Sequence, residues 1–239
     1  MQGMSGLKDY IIYEDEQLLF INKPYGVASL DERTGQGNSI LKMARAYTAD
    51  PQLCHRLDKE TSGVLAIAKT PEAYRHMSMQ FEHRELEKTY HAVVNGVHNI
   101  DGIMVNLPIF QLPDGLVKID KAKGKLAMTF FNTIKAFKNA TLVECKPVTG
   151  RMHQIRIHLS CLKAPIVADL SYGGQYIYLS SLKKRFNLKK DTEEQPLIKR
   201  VALHAFALKF TDMQGEVKEI QAPYPKDYAV LLKQLEING

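Results

Sequence analysis

The sequence predicts an α+β fold over residues 1–239 as a single continuous domain, and three observations carry that reading. Stretches of strand character come in long pairs split by short turns, as at 126–136 and 140–145 across Lys138-Asn139. Helical periods are inserted between such pairs instead of following every strand, which argues against a doubly wound parallel sheet. No fixed-period repeat, low-complexity tract or Gly/Ser-rich linker divides the chain.

The elements follow in order. Tyr10-Ile11-Ile12-Tyr13 and Leu18-Leu19-Phe20-Ile21-Asn22 predict an opening hairpin with Glu14-Asp15-Glu16 as its turn. Lys23-Pro24-Tyr25-Gly26 breaks the second strand, because proline fixes φ and removes a donor. Residues 39–47 predict a short helix with Ile40, Leu41, Ala44 and Tyr47 on one side. Val64-Leu65-Ala66-Ile67-Ala68 has the length and unbroken apolar character of a buried strand. Thr70-Pro71 starts a helix, with a hydroxyl cap and proline at the first helical position. Its stripe is Ala73, Met77 and Phe81, ending near Leu86. A strand over 88–94 stops at Asn95-Gly96. After the pair at 126–145, a helix should carry Met152, Ile155, Leu159 and Leu162, with Thr149 as its cap. A closing hairpin over 205–211 and 215–221 and a final helix over 226–236 complete the chain.

Composition narrows the function classes. Lys and Arg number 32 against 26 Asp and Glu, a net charge of +6 that allows nucleic acid as a partner without requiring it. No apolar run reaches the ~18 residues of a membrane span, and the N-terminus lacks a secretory apolar region. Three cysteines are too few for a disulfide scaffold, so the cytosol is the natural setting.

Two polar clusters lie at element boundaries, where reactive groups are positioned. One is His55-Arg56-Leu57-Asp58-Lys59-Glu60-Thr61-Ser62-Gly63; the other runs from Thr149 through Gly150, Arg151, His153, Gln154 and Arg156 to His158. Asp58 by itself reads as a turn carboxylate bonding the amides of the following residues. A reactive carboxylate in a partly dry pocket would need a fixed cation, since desolvation disfavours its charge. Arg156 has the planar fork for that task, although 98 positions separate the two in sequence. Metal ligation is disfavoured. His153 and His158 are five apart, so on one helix their rings would diverge by about 140°. The run Lys183-Lys184-Arg185 with Lys189-Lys190 reads as a solvated face or as phosphate contacts.

His55-Arg56-Leu57-Asp58 followed by Thr61-Ser62-Gly63 resembles the signature of the RluA-type family of RNA pseudouridine synthases. Lys23-Pro24-Tyr25-Gly26 is similar to its lysine-proline element, with Tyr25 where alanine is usual. Lys88-Thr89-Tyr90-His91-Ala92 and Gly124-Lys125-Leu126-Ala127-Met128-Thr129 match two further stretches. Thr149-Gly150-Arg151-Met152-His153-Gln154-Ile155-Arg156 matches a fourth, with Met152 where threonine is commoner. Ala168-Asp169, Tyr172-Gly173-Gly174 and Leu203-His204-Ala205 also resemble family landmarks, all in order over about 10–235.

The resemblance implies the pseudouridine synthase catalytic fold, a mixed and mostly antiparallel sheet with flanking helices. It implies an isomerase that converts uridine to pseudouridine in structured RNA, ribosomal or transfer, with no cofactor and no metal. Asp58 would be the catalytic carboxylate, Arg156 its ion-pair partner and Tyr90 the tyrosine that stacks on uracil and moves a proton. The target base would be flipped out, with Arg56 entering the vacated stack. Arg151, Lys23 and His55 would contact substrate, and Ile155, Thr61 and Gly63 would support the site. The chain would act as a monomer in the cytoplasm, off the membrane, with no obligatory protein partner. Only about nine residues precede the first strand, so the small N-terminal RNA-binding domain of some relatives is expected to be absent. Two other readings differ in class. A catalytically silent RNA-binding or ribosome-assembly factor has no need to keep Asp58, Tyr90 and Arg156 together. A metal-dependent hydrolase predicts a stoichiometric bound ion.

Overall fold

The computed structural model describes residues 6–31, 37–188 and 192–238. The first part of the chain forms β1 (Ile11–Glu14), β2 (Leu18–Lys23), α1 (Ile40–Tyr47), β3 (Gln52–Leu53), β4 (Ser62–Ala68) and α2 (Pro71–His83). Next come β5 (Glu87–Asn95), β6 (Ile103–Asn106), β7 (Ile109–Gln111), β8 (Val117–Ile119), β9 (Met128–Ala136) and β10 (Ala140–Pro147). Then follow α3 (Gln154–Cys161), α4 (Leu179–Leu182), β11 (Leu203–Thr211), β12 (Val217–Gln221) and α5 (Lys226–Asn238). Among the described residues no helix is long and apolar enough to cross a membrane.

The chain packs as two compact units, one of Met1–Thr89 with His204–Pro223 and one of Tyr90–Leu203 with Tyr224–Gly239. In the first unit β4 is central and every residue in it is buried. It pairs antiparallel with β2 and β3, and parallel with β11 through His204↔Ser62 and Ala205↔Gly63. The core is a cluster around Phe20, Val64, Ala66, Met77 and Leu208, with Phe20 stacked on Phe210 at 5.1 Å between centroids. Helix α2 begins as its sequence dictates: Thr70 Oγ1 accepts from the Ala73 amide, and Ala73 and Met77 face inward.

In the second unit the strand order is β5-β10-β9-β6, all antiparallel. Its core gathers Val93, Phe131, Val143, Cys145, Ile155, Leu159 and Ile166, closed by Tyr228, Leu231 and Leu235 of α5. Cys54 and Cys145 are buried and free; Cys161, at the C-terminal end of α3, is exposed.

Three local expectations change. Helix α1 buries Ile40, Met43 and Ala44, so its inner face is rotated towards Met43 from the one expected. Helix α3 starts at Gln154, leaving Met152 outside it, and Thr149 does not cap it. Thr149 instead donates to Gln154 Oε1 at 2.7 Å and accepts from the Met128 amide, because Gln154 folds back over its own N-terminus to take the Arg151 amide. The short strands β3, β6, β7 and β8 give no sequence signal, each having four residues or fewer.

Candidate active site

In the first unit the segment between β3 and β4 is fixed by one turn of its own and by the residues that bracket it. The Thr61 amide donates to the Asp58 carbonyl at 3.0 Å, closing a tight turn that leaves the Asp58 side chain half-buried. Ser29 brackets the loop from the other side, its hydroxyl donating to the Leu57 carbonyl at 2.7 Å and accepting from the Leu57 amide at 3.0 Å. The lysine-proline element grips the next residue. The Gly26 amide donates to the Lys59 carbonyl at 2.8 Å, and Lys23 Nζ reaches the carbonyls of Pro24, Val27 and Lys59 at 2.8, 2.7 and 3.3 Å.

Beyond Asp58 the strand needs a glycine. Gly63 has φ +118°, and a Cβ there would lie 2.1 Å from the Ala205 carbonyl oxygen. Beside it the Ser62 hydroxyl meets His204 Nδ1 at 2.9 Å, while His204 Nε2 faces the Ala222 carbonyl at 3.1 Å. A carbonyl only accepts, so Nε2 carries the proton and Nδ1 receives the serine's.

His55 is part of this framework. Its Nε2 accepts from the Ala66 amide at 3.1 Å, and its ring stacks on Phe81 at 4.8 Å. Burial, helped by the charge of Lys88, pushes its pKa down to about 3, so the ring is neutral. Burial and the neighbouring Arg84 push Lys88 itself down to about 8.

In the second unit the segment entering α3 is tied to β9. Gln154 Nε2 donates to the Met128 carbonyl and to Thr129 Oγ1, both at 2.9 Å. His158 faces Thr129 Oγ1 through Nδ1 and the Leu107 carbonyl through Nε2, and burial lowers its pKa, which keeps the ring neutral. Arg156 is buried on α3 and makes a bidentate pair with Asp169, both contacts at 2.7 Å. Tyr90, half-buried on β5, packs against the core cluster that contains Ile155.

A family model described as RNA pseudouridylate synthase matches residues 17–161. The ribosomal large subunit pseudouridine synthases C of Salmonella typhi and Escherichia coli strain K12 are each 35% identical over 243 residues. Each alignment covers 98% of this chain and 72% of the relative. The solved structure of human RNA pseudouridylate synthase domain containing 4 superposes with a TM-score of 0.76 at 25% identity, covering 96% of this chain and 94% of that one. The chain belongs to the RNA pseudouridylate synthase family. It is an RNA pseudouridine synthase, and therefore an isomerase.

For a pseudouridine synthase the residues named from sequence fall into two groups. His55, Arg56, Asp58, Thr61, Gly63 and Lys23 belong to one loop and its supports in the first unit; Tyr90, Arg151, Ile155 and Arg156 belong to the second. Arg56 is exposed, and Arg151 is exposed with its Nε donating to the Leu126 carbonyl at 3.1 Å. Two expectations need correction. Lys23 is 0% exposed and bound by three carbonyls, so it is an internal brace of the loop and not a phosphate contact. His55 likewise has Nε2 committed to the backbone and its ring covered by Phe81, a structural role instead of a substrate contact. In the basic run, Lys183, Lys184 and Arg185 are exposed, while Lys189 and Lys190 lie outside the described residues. Asp169 is legible in the sequence only as a landmark. Its role depends on a side chain 13 positions earlier, across a turn, which no local pattern reveals.

Proposed function

We propose that this chain isomerises uridine in structured ribosomal RNA, with Asp58 as the reacting carboxylate. The observation that carries this reading is the loop around Asp58. Its neighbours Leu57, Lys59 and Thr61 are each held by a hydrogen bond, and the Asp58 side chain is half-buried among them. A group that must approach one atom of a substrate gains most from such fixing. The curated relatives are named for the ribosomal large subunit, which supports ribosomal over transfer RNA.

The reaction balances without a co-reactant. The bond from C1′ to N1 breaks, a bond from C1′ to C5 forms, and a proton leaves C5 while N1 gains one. Asp58 assists the break as an anion, with Arg156 as its counter-charge. Tyr90 offers a ring face to the uracil and a hydroxyl for proton transfer. The uridine reaches the site flipped from its stack, and exposed Arg56 takes its place there. Arg151 contacts phosphate. On this reading residues 1–239 work as one catalytic domain, as a monomer in the cytosol, with no obligatory protein partner.

Asp58→Asn is the test, since it removes the charge and keeps the shape. The variant should fold and bind RNA within a few-fold of the unaltered chain while forming no pseudouridine. Normal product would overturn the assignment. Pseudouridine mapping of total RNA from cells with and without the protein identifies the substrate, and sites lost from transfer RNA alone would reverse the RNA class.

A further inference from the structure

Arg156 is gripped from more than one direction. Asp169 Oδ2 accepts from its Nε and Oδ1 from its Nη2, both at 2.7 Å, with side-chain exposures of 8% for the arginine and 1% for the aspartate. The Tyr172 ring lies against the guanidinium, 4.9 Å from Cζ to the centroid. Tyr172 is itself anchored: its hydroxyl accepts from the Val117 amide at 2.9 Å and shares a 2.9 Å hydrogen bond with His153 Nδ1. His153 precedes α3 in the left-handed region, at φ 51°, a strained conformation for a residue with a side chain. The turn that carries Asp169 is closed on itself, the amides of Tyr172 and Gly174 both donating to the Asp169 carbonyl. Gly174 presses so closely that a Cβ would stand 1.9 Å from the Ile166 carbonyl oxygen.

A buried ion pair is weak evidence of stabilisation, because taking both charges from water offsets their attraction. A bidentate pair does fix the plane and rotation of a guanidinium. Asp169 engages two of the five N–H donors, on the Nε–Nη2 edge. We propose that Asp169 and Tyr172 are positioning residues for Arg156, fixing the rotation and plane of its guanidinium for turnover. This rests on the proposed function, in which Arg156 takes part in the reaction. The motif Asp169-x-x-Tyr172-Gly173-Gly174 is then an arginine clamp: the aspartate sets the rotation, the tyrosine the plane, and the glycine lets the turn close.

Turnover and spectroscopy together test the clamp. Asp169→Asn keeps the shape and removes the charge. Its kcat on an RNA substrate should fall about 100-fold with KM within about threefold, the loss a displaced catalytic group produces. In ¹⁵N spectra the Arg156 Nε–H should exchange slowly in the unaltered chain and fast in the variant. A folded Asp169→Asn with kcat within twofold, or with a raised KM and unchanged kcat, overturns the proposal. So does a slow Nε–H that survives the substitution. Should Asp169→Asn fail to fold by near-UV circular dichroism, Tyr172→Leu keeps the ion pair and removes the ring; it should lower kcat about 10-fold, and unchanged kcat overturns the proposal. Absence of pseudouridine formation by the unaltered chain would sink the functional reading alone, because the Nε–H signal tests the clamp without turnover.

Discussion

Lys23 and Arg156 are both buried cations, one in each unit, and they are held by different chemistry. Neutral main-chain carbonyls surround the Lys23 ammonium, and one of them belongs to Lys59, next to Asp58. A carboxylate grips the Arg156 guanidinium along one edge. Carbonyl ligation ties a point charge to the backbone, so Lys23 fixes the path of a loop. Bidentate ligation of a planar group sets an orientation, so Asp169 fixes which way the Arg156 guanidinium faces. Burial alone does not separate a brace of the backbone from an oriented head group; the identity of the ligands does.

The contrast breaks most easily at Lys23. Lys23→Met keeps the stem and removes the donor from three carbonyls, of which that of Lys59 keeps the Gly26 amide, for a loss of about 3 kcal/mol in unfolding free energy. Urea denaturation with an unchanged m-value measures it, and a loss below about 1 kcal/mol would mean that water replaces the ammonium easily. Arg156→Lys keeps the charge and discards the fork. Its stability cost should be about 1–2 kcal/mol, smaller than that of Lys23→Met, while turnover falls far more than stability explains. Equal losses of stability at the two sites would erase the distinction between brace and oriented head group.

Acid sharpens the same comparison, since each unit holds a histidine kept neutral by burial. His55 is pushed down to about 3 and His91, hydrogen-bonded to the Tyr224 hydroxyl at 2.6 Å, to about 4. The unfolded chain takes up these protons near pH 6.5 and the folded chain does not. Stability is therefore complete above pH 6.5 and declines as the pH falls towards 4, by up to about 1.4 kcal/mol per pH unit for each ring. Half-buried His55 should contribute less than that limit. Denaturant midpoints from pH 7.5 to 4.5 report the slope, and His55→Gln should remove only the share of the first unit. The smallest effects belong to the exposed arginines. Arg56→Ala and Arg151→Ala should each weaken RNA binding a few-fold. An arginine that neutralises one phosphate should, when replaced, flatten log K against log salt by about 0.7–0.9. A response confined to one of them would place docking on that unit alone.

Legibility follows the range of the interaction. The Thr70-Pro71 start, the buried run of β4 and both terminal hairpins are readable because cap, period and turn are local. The motifs are readable as an ordered set, but not why they recur together. Ser62 meets His204, Thr129 meets His158 and Gln154, and Arg156 meets Asp169, all through hydrogen bonds between separated segments. Lys23 misleads for the same reason. A lysine in a basic chain suggests phosphate, and only the fold shows three carbonyls around it.

The cysteines have a practical consequence. Burial raises the Cys54 thiol to about 12 and holds Cys145 well above its ordinary value, so neither forms thiolate under mild conditions. Cys161 is exposed and sits just over one turn beyond Arg156 on the same helix, although partial burial raises its pKa as well. A maleimide dye applied slightly above neutral pH should therefore attach at a single place without any engineered residue. It would give a fluorescent reporter, on the helix that carries the guanidinium, of RNA arriving and leaving.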